Sequence, residues 1–349
     1  MTIAKEQRAT AVAFVPGHTF EPEGLRVARS KALERLDGLR TDMCKTSENP
    51  LFGSCEWRVR SPSIAEKESI AEIEDRLVFR DWKCLELSSV DFEYDNLISQ
   101  CTTHNGDPLP IDEAESMVRH VLAAEIVKVL DGAISLFSIP TFSSIYSSFT
   151  VRKFEDDEFY RSSGCRSSLS FTKYDKSIEF PEYLPDFNPA QLLDWSFERS
   201  GIWIGRSGTN IERSLSYFMR SFTYNLHSSN RFETLLWVVA GIEALCCDST
   251  KGQLYQIRKR LPTLVGNYDS EKFLSMLSKA YDFRSRLFHG QVNVYSPYSD
   301  AIDDRSKGDF EDGIDINAGL LAFLLNCALS DLMTQGASEV LFNESIIVS

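Results

Sequence analysis

Residues 271–290, which read EKFLSMLSKAYDFRSRLFHG, decide the fold of the second half of the chain. Their apolar residues recur with helical spacing and form one stripe, which predicts a helix that buries this face. Arg284 lies on the stripe although it is charged. Gly290 directly follows His289, and a glycine in that place is a natural left-handed stop for a helix. We therefore expect a helix over residues 270–289. The stripe consists of Phe273, Leu277, Ala280, Tyr281, Leu287 and Phe288.

A similar stripe occurs upstream, in residues 231–247, and its charged member is Glu243. An unpaired charge on a packed face is costly, so we expect Arg284 and Glu243 to meet across a helix interface. Two interpretations of this pair stay open: an ion pair that only fixes helix register, and part of a functional site. The place of His289 favours the second, because a helix C-terminus stabilises an imidazolium and histidine exchanges protons near neutral pH.

Arg284 and His289 are five residues apart, which separates them by about 140° around a regular helix. One copy of the chain therefore cannot bring the two side chains together on a single helix face. Their convergence requires helix-end geometry or a second copy of the chain. We expect a homodimer formed through this helix.

The segment from Tyr281 to Gly290 contains the pattern R-x4-H and resembles the motif of HEPN domains. The similarity is greatest to the ApeA-like branch, in which an aromatic residue precedes the arginine by three and His-Gly closes the motif. The helix predicted at 231–247, with Trp237 and the Ile-Glu-Ala sequence at 242–244, also resembles that branch. The resemblance covers residues 208–335 and does not extend to the first two hundred residues.

This resemblance implies a metal-independent endoribonuclease of a prokaryotic defence or toxin type, whose two motifs form a composite cleft in a dimer. In such enzymes the ribose 2′-OH attacks the adjacent phosphorus. His289 would be the general acid or base, Arg284 would hold the phosphate, and Glu243 would orient Arg284. Ser285 would hydrogen-bond the phosphate, although a plain exposed serine explains that position equally well. Gln291 replaces the tyrosine of a subgroup regulated by nucleotide addition, so we do not expect that regulation here.

The net charge of −14 argues against a general nucleic-acid coat, because Lys and Arg drive phosphate binding. Residues 190–290 nevertheless hold 13 Lys and Arg against 9 Asp and Glu, a net charge of +4 between two acidic stretches. Arg258, Lys259 and Arg260 form the one dense basic cluster of the sequence. A solvated helix face explains this cluster, and so does a substrate-binding contact with RNA phosphates beside the cleft.

A chain of 349 residues is long enough for two domains. We expect an α+β protein, with a mixed α/β sensor or recognition domain over residues 1–190 and a HEPN-like bundle of four or five helices over 208–349. The segment PEYLPDFNP at 181–189 is the predicted boundary region. In the first domain, helices are predicted at 25–39 and 111–137, and strands at 55–60, 77–87, 142–154 and 167–174. In the second, helices are predicted at 210–226, 231–247, 253–264, 270–289 and 314–334.

An acidic segment separates the last two helices. Residues 300–315 hold seven acidic residues against Arg305 and Lys307, which predicts an exposed loop. Such a loop is either solvated and without a role, or close enough to the cleft to repel RNA.

The sequence predicts a cytoplasmic protein without a signal peptide or a membrane-spanning helix. The apolar stretch at 318–329 is shorter than the roughly 20 residues that span a bilayer. The eight cysteines contain no C-x-x-C pair and the five histidines are scattered, so we expect free thiols, no metal and no cofactor. The expected partners are RNA, a second copy of the chain, and an unknown trigger bound by the first domain.

Two other function classes compete with the enzyme. A catalytically inactive HEPN dimer could serve as a binding or scaffold module, with Arg284 and Glu243 in structural roles. A small-molecule sensor, in which residues 1–200 bind a ligand, is a third class and can coexist with the ribonuclease.

Overall fold

The computed structural model of the protein describes fifteen stretches between residues 9 and 342. They are residues 9–17, 27, 30–31, 33–42, 54–64, 80–91, 94–140, 149–154, 160–163, 188–199, 208–223, 231–249, 252–265, 271–292 and 305–342.

The described residues form two compact units. The first unit contains the described residues up to 163 together with 188–199, and the second contains 208–342. Every described strand belongs to the first unit, whereas the described elements of the second unit are helices. The chain is therefore α+β, which confirms the predicted fold class at this level.

A six-stranded sheet organises the first unit, with neighbouring strands antiparallel in the order β2-β3-β4-β1-β5-β6. The predicted strands at 55–60 and 77–87 correspond to β3 and β4, and the end of the one at 142–154 corresponds to β5. The predicted strand at 167–174 lies outside the described residues. The strands are β1 Ala9–Gly17, β2 Arg40–Asp42, β3 Ser54–Arg60, β4 Arg80–Asp91, β5 Phe149–Phe154 and β6 Tyr160–Ser163.

A long helix packs against this sheet. It is α2, Ile111–Ser138, and its predicted bounds of 111–137 are nearly those observed. Trp57 of β3 is fully buried and meets Phe137 of α2 edge-to-face, with ring centroids 6.3 Å apart. The short helix α1, Tyr94–Ser99, precedes α2. In the predicted helix at 25–39, the helical residues described are 27, 30, 31, 33 and 34.

The first unit includes a helix that the boundary prediction did not foresee. Pro189 begins α3, Pro189–Glu198, because Asn188 caps the helix by accepting a hydrogen bond from the backbone of Ala190 at 3.0 Å. Proline at this position lacks only an N–H that the first helical turn does not use. The first unit thus continues beyond residue 190, while residues 181–187 lie outside the described part of the chain.

The second unit has five described helices, and four of them lie within a few residues of their predicted bounds. The longest, α8, contacts each of the other four. Its segment Ile316–Thr334 is long and apolar enough to cross a membrane, but 72% of that window is buried inside the protein, as in the core helix of a soluble protein. The helices are α4 Asn210–Thr223, α5 Arg231–Cys246, α6 Gln253–Val265, α7 Glu271–Phe288 and α8 Arg305–Thr334.

The prediction of an exposed loop at 300–315 is wrong for the part that the structure describes. Residues 305–315 form the first turns of α8 instead. Ile314 is 5% exposed, and the Asn317 side chain donates a hydrogen bond to the carbonyl of Gly313 at 2.6 Å. The buried Ile314 and the side-chain hydrogen bond of Asn317 therefore help to hold in a helix an acidic, glycine-containing segment whose composition disfavours one.

Candidate active site

The α7 helix ends at Gly290, as the sequence predicts. Gly290 has a φ of +67°, and its N–H donates to the carbonyl of Leu287 at 3.2 Å. The N–H of Gln291 donates to the carbonyl of Arg286 at 2.8 Å, which completes a Schellman motif. This geometry places His289 at the C-cap position, beside the negative end of the helix dipole.

The His289 side chain is exposed. Among the residues that the structure describes, it has no hydrogen-bonding or ionic partner. An imidazole held this way can meet a second molecule without first breaking a contact of its own.

Arg284 and Glu243 form the ion pair predicted from the two stripes. Nη2 of Arg284 on α7 lies 3.1 Å from Oε1 of Glu243 on α5, and the two side chains are 25% and 19% exposed. The pair is thus half-buried at the edge of the helix interface. The prediction that the two charges meet across helices is confirmed.

A third side chain, Tyr281, completes this cluster. The sequence places it on the apolar stripe and in the motif, as the aromatic residue three before Arg284, but predicts no role for its hydroxyl. Its hydroxyl donates to Oε1 of Glu243 at 3.0 Å. Burial, followed by the charge of Glu243, raises the pKa of Tyr281 well above its usual range, so the hydroxyl keeps its proton. A usable signal was present in the sequence, because Tyr281 precedes Arg284 by three residues and so shares its helix face.

Two aromatic rings hold the Arg284 guanidinium. Its Cζ lies 4.7 Å from the centroid of the Phe288 ring and 5.9 Å from that of Tyr281. Phe288 is 44% exposed although it belongs to the apolar stripe. Nε of Arg284 is buried without a hydrogen-bond partner among the described residues. One carboxylate and two ring faces therefore fix a guanidinium that is a quarter exposed and retains charge for an anion.

Cys247 lies one turn beyond Glu243, at the end of α5. Its Sγ is 3.9 Å from the carbonyl oxygen of Gln253 in the first turn of α6. Burial and then the charge of Glu243 raise the pKa of Cys247 to about 11. The thiol is therefore protonated at neutral pH and is not a nucleophile there. The described cysteines are free thiols: Cys55, Cys84, Cys101, Cys246, Cys247 and Cys327.

The other residues predicted to bind substrate differ in their exposure to solvent. Ser285 is half-buried, and its carbonyl accepts the N–H of His289 at 3.0 Å. Arg258 and Lys259 are exposed on α6. Arg260 is only 6% exposed, which contradicts the role in substrate binding predicted for it.

The reason is that Arg260 closes the C-terminus of α5. Its Nη1 donates to the carbonyl of Cys246 at 2.8 Å, and its Nη2 lies 2.6 Å from a carboxylate oxygen of Asp248. Its guanidinium carbon also lies 4.7 Å from the centroid of the Phe342 ring. Arg260 is therefore a structural residue that ties α6 to the end of α5.

No family model matches the chain, and no curated protein or solved structure matches it significantly. Within the described stretches, no three His, Cys, Asp or Glu side chains are grouped so that they could hold a metal ion. The cluster on α5 and α7 offers an arginine, a glutamate and a tyrosine, and the exposed His289 lies at the end of the helix that carries two of them.

Proposed function

We propose that this protein is a metal-independent endoribonuclease of the HEPN type, acting in prokaryotic defence or as a toxin in the cytoplasm. The observation that carries the proposal is the half-buried Arg284–Glu243 pair, 3.1 Å apart, with an exposed histidine five residues after the arginine at the end of the same helix. A cation oriented by a carboxylate and an accessible imidazole are the two groups that phosphodiester cleavage by a 2′-OH needs.

In the proposed reaction, the ribose 2′-OH attacks the adjacent phosphorus and the bond from phosphorus to the 5′ oxygen breaks. The 2′-OH loses a proton and the departing 5′ oxygen gains one; His289 makes one of these two transfers and solvent makes the other, so the protons balance. Arg284 binds the non-bridging oxygens, whose negative charge grows in the transition state. The products are a 2′,3′-cyclic phosphate and a 5′-hydroxyl, so neither water nor an oxidant is consumed.

Glu243 and Tyr281 are positioning residues in this scheme. Glu243 contacts Nη2 of Arg284, and Tyr281 contacts the same carboxylate oxygen. One oxygen of the carboxylate thus accepts a hydrogen bond from Tyr281 and forms the ion pair with Arg284, and both contacts restrict its rotation. The direction of the guanidinium is thereby fixed before the substrate binds.

The proposed active form is a homodimer. On a regular helix, the five residues from Arg284 to His289 correspond to about 140°, so one copy is not expected to direct its own histidine at its own arginine. A second copy related by a two-fold axis would supply the histidine that one copy cannot direct at its own arginine. Phe288, 44% exposed beside Arg284, is apolar surface available for that contact.

The alternative function is a catalytically inactive dimer that acts as a scaffold. The contacts of Arg284 support this alternative, because one carboxylate and two aromatic rings already contact its guanidinium. An ion pair of this kind can serve helix register alone. With either function, we propose that the first unit binds the unknown trigger of the protein.

Incubation of the purified full chain with total RNA tests the proposal. We expect wild type to cut RNA with or without EDTA, and His289→Ala and Arg284→Ala to lose the activity while remaining folded. Lys279→Ala, an exposed position on the same helix, is the matched control and should keep it. Cleavage that persists in His289→Ala, or that disappears in EDTA, would contradict this mechanism.

A further inference from the structure

The solvent face of α6 carries an exposed aromatic ring beside two cations. Tyr255 is 65% exposed, and Arg258 and Lys259 are exposed as well. These residues are spaced i, i+3 and i+4, so they share one side of the helix. Neither the ion pair at Glu243 nor the core of the unit uses this side.

The opposite side of α6 fixes the direction in which these residues point. Ile257 and Leu261 are fully buried, and Arg260 is bonded to the end of α5. The dense basic cluster of the sequence is thus divided: one arginine faces inward, while Arg258 and Lys259 face solvent beside Tyr255. If α6 rotated so that the ring of Tyr255 became buried, Ile257 and Leu261 would become exposed.

The chemistry of this face fits a single-stranded nucleic acid. An exposed aromatic ring can stack on an unpaired base, and neighbouring cations contact the phosphates on either side of it. In a duplex the bases are already stacked on one another and cannot use such a ring. Arg258 and Lys259 make this face positive although the chain has a net charge of −14. A positive face attracts a polyanion such as RNA.

The position of α6 connects this face to the candidate site. The carbonyl oxygen of Gln253, in the first turn of α6, is 3.9 Å from Sγ of Cys247. Cys247 follows Glu243 by one turn of α5. The helix that carries Tyr255 therefore starts beside the end of α5, one turn beyond the glutamate that pairs with Arg284.

We infer that this face of α6 binds a single-stranded segment of the RNA substrate, with Tyr255 stacked on a base and Arg258 and Lys259 on its phosphates. The inference rests on the proposed function, because it takes the same RNA as its ligand. This binding gives the enzyme a preference for RNA that is unpaired next to the bond that is cut.

The test measures binding separately from cleavage. The full chain carrying His289→Ala is titrated into a 12-nucleotide, fluorescein-labelled RNA of adenosine and uridine that cannot pair with itself, and anisotropy is followed at several salt concentrations. We expect Tyr255→Ala to weaken binding about fivefold or more, and Tyr255→Phe to keep most of the affinity because its ring still stacks. Binding of a duplex RNA of the same length should not change with Tyr255→Ala.

The cations are tested by the salt dependence. Arg258→Ala with Lys259→Ala should make the slope of log K against log salt shallower by about 1.4, since each contact with a single-strand phosphate contributes about 0.7. The matched control is Arg213→Ala with Lys279→Ala, which removes the same charge from exposed positions on α4 and α7. Ile316→Ala, at an apolar position that is 57% exposed on α8, is the control for Tyr255→Ala.

Cleavage by the unmodified chain is measured in parallel, so that the two proposals fail separately. Binding that depends on Tyr255 without any cleavage supports the RNA face and overturns the nuclease. An affinity within twofold of the parent in Tyr255→Ala, an equal loss in the controls, or no binding of the RNA at all overturns the RNA face, whatever the cleavage result.

Discussion

Tyr281 lies one helical turn before Arg284 on α7, and both side chains contact the same oxygen of Glu243, at 3.0 and 3.1 Å. The carboxylate is consequently shared between a neutral donor and a cation. Tyr281 is 5% exposed, so its hydroxyl has no water to replace Glu243 as an acceptor. The tyrosine and the arginine therefore depend on one another through this oxygen.

Tyr281→Phe should lower the free energy of unfolding by about 1–3 kcal/mol, because it removes a hydrogen bond to a charged group. It should also reduce RNA cleavage, since Glu243 loses the donor that fixes its orientation. Thermal melting and a cleavage assay measure the two effects. A variant with wild-type activity would show that Tyr281 does not position Glu243.

The pH dependence of stability distinguishes this hydrogen bond from simple packing. The pKa of Tyr281 in the folded protein is raised, whereas that of an unfolded tyrosine is about 10. Its contribution to stability is therefore complete below pH 10 and is lost progressively as the pH rises above that value. The melting temperatures of wild type and Tyr281→Phe should approach each other between pH 9 and pH 11. A constant difference over this range would contradict the shifted pKa.

Glu243→Gln tests the charge of the carboxylate through a neighbouring thiol. The charge of Glu243 adds to burial in raising the pKa of Cys247 to about 11. Removing that charge lowers the pKa, so Cys247 should react faster with iodoacetamide at pH 8 than it does in the wild type. Cys55, whose pKa burial raises to about 12 in the other unit, is the internal control and should not change.

Glu243→Ala should be more disruptive than Glu243→Gln. It leaves the guanidinium of Arg284 without its carboxylate, at a cost of about 1–3 kcal/mol, less than for a fully buried pair because Arg284 is a quarter exposed. Chemical denaturation compares the two variants. If Glu243→Ala were as stable as the wild type, the ion pair would not contribute to the free energy of unfolding.

The helical unit was more predictable than the sheet, for a physical reason. The α7 helix has a one-sided apolar stripe and a glycine stop, and both features are read directly from spacing. In β1, Val12 and Ala13 are consecutive and both buried, so the alternation that marks a half-exposed strand is missing. A central strand covered on both sides resembles any short apolar run.

The candidate site was predictable where a charge interrupted an apolar stripe, as Arg284 and Glu243 do. The hydroxyl of Tyr281 was overlooked because a tyrosine fits an apolar stripe by its ring alone. Arg260 was misassigned because it was grouped with its exposed neighbours Arg258 and Lys259. Its spacing of three from the buried Ile257 already indicated the inner face of α6.

A mixture of two inactive variants tests the composite site. If His289 of one copy acts on RNA held by Arg284 of the other, a heterodimer of His289→Ala and Arg284→Ala contains one complete site. Random mixing should then restore about a quarter of the wild-type activity, since half of the dimers are mixed and each has one of two sites. The variants are refolded together or co-expressed, and each alone is the control. No recovery in a verified heterodimer would place both residues of a site in one chain.

Gly241 and Gly313 should respond in opposite ways to substitution by alanine. A Cβ at Gly241 would lie 2.6 Å from Cδ2 of Leu325 and 3.3 Å from the carbonyl oxygen of Ser214, where α5 meets α8 and α4. Leu325 is fully buried, so Gly241→Ala should destabilise the protein by about 1–3 kcal/mol. At Gly313 the nearest atom, Cε2 of Phe283, is an ordinary 3.4 Å away.

Gly313→Ala should therefore stabilise the protein by about 0.5–1 kcal/mol, the usual gain from replacing glycine inside a helix. Thermal melting of both variants measures the difference. Stabilisation by both substitutions would mean that α5 and α8 can separate at Gly241 without loss.

The acidic start of α8 should weaken RNA binding by electrostatic repulsion. Gly313 lies against Phe283, the residue before Arg284, so this segment runs alongside the motif helix. Its four acids in the described helix are Asp309, Glu311, Asp312 and Asp315. Replacing them with Asn and Gln removes four negative charges from a segment that runs alongside the motif helix, and screening by salt should reduce the effect of doing so. In the His289→Ala background, the four substitutions should therefore tighten RNA binding relative to the parent. This gain in affinity should be larger at 50 mM salt than at 200 mM salt.

Neutralisation of four acids in the first unit, at positions 107, 112, 113 and 115, is the control for net charge. If both sets of substitutions tighten binding equally, the acids of α8 act only through the total charge of the chain and not through their place beside α7.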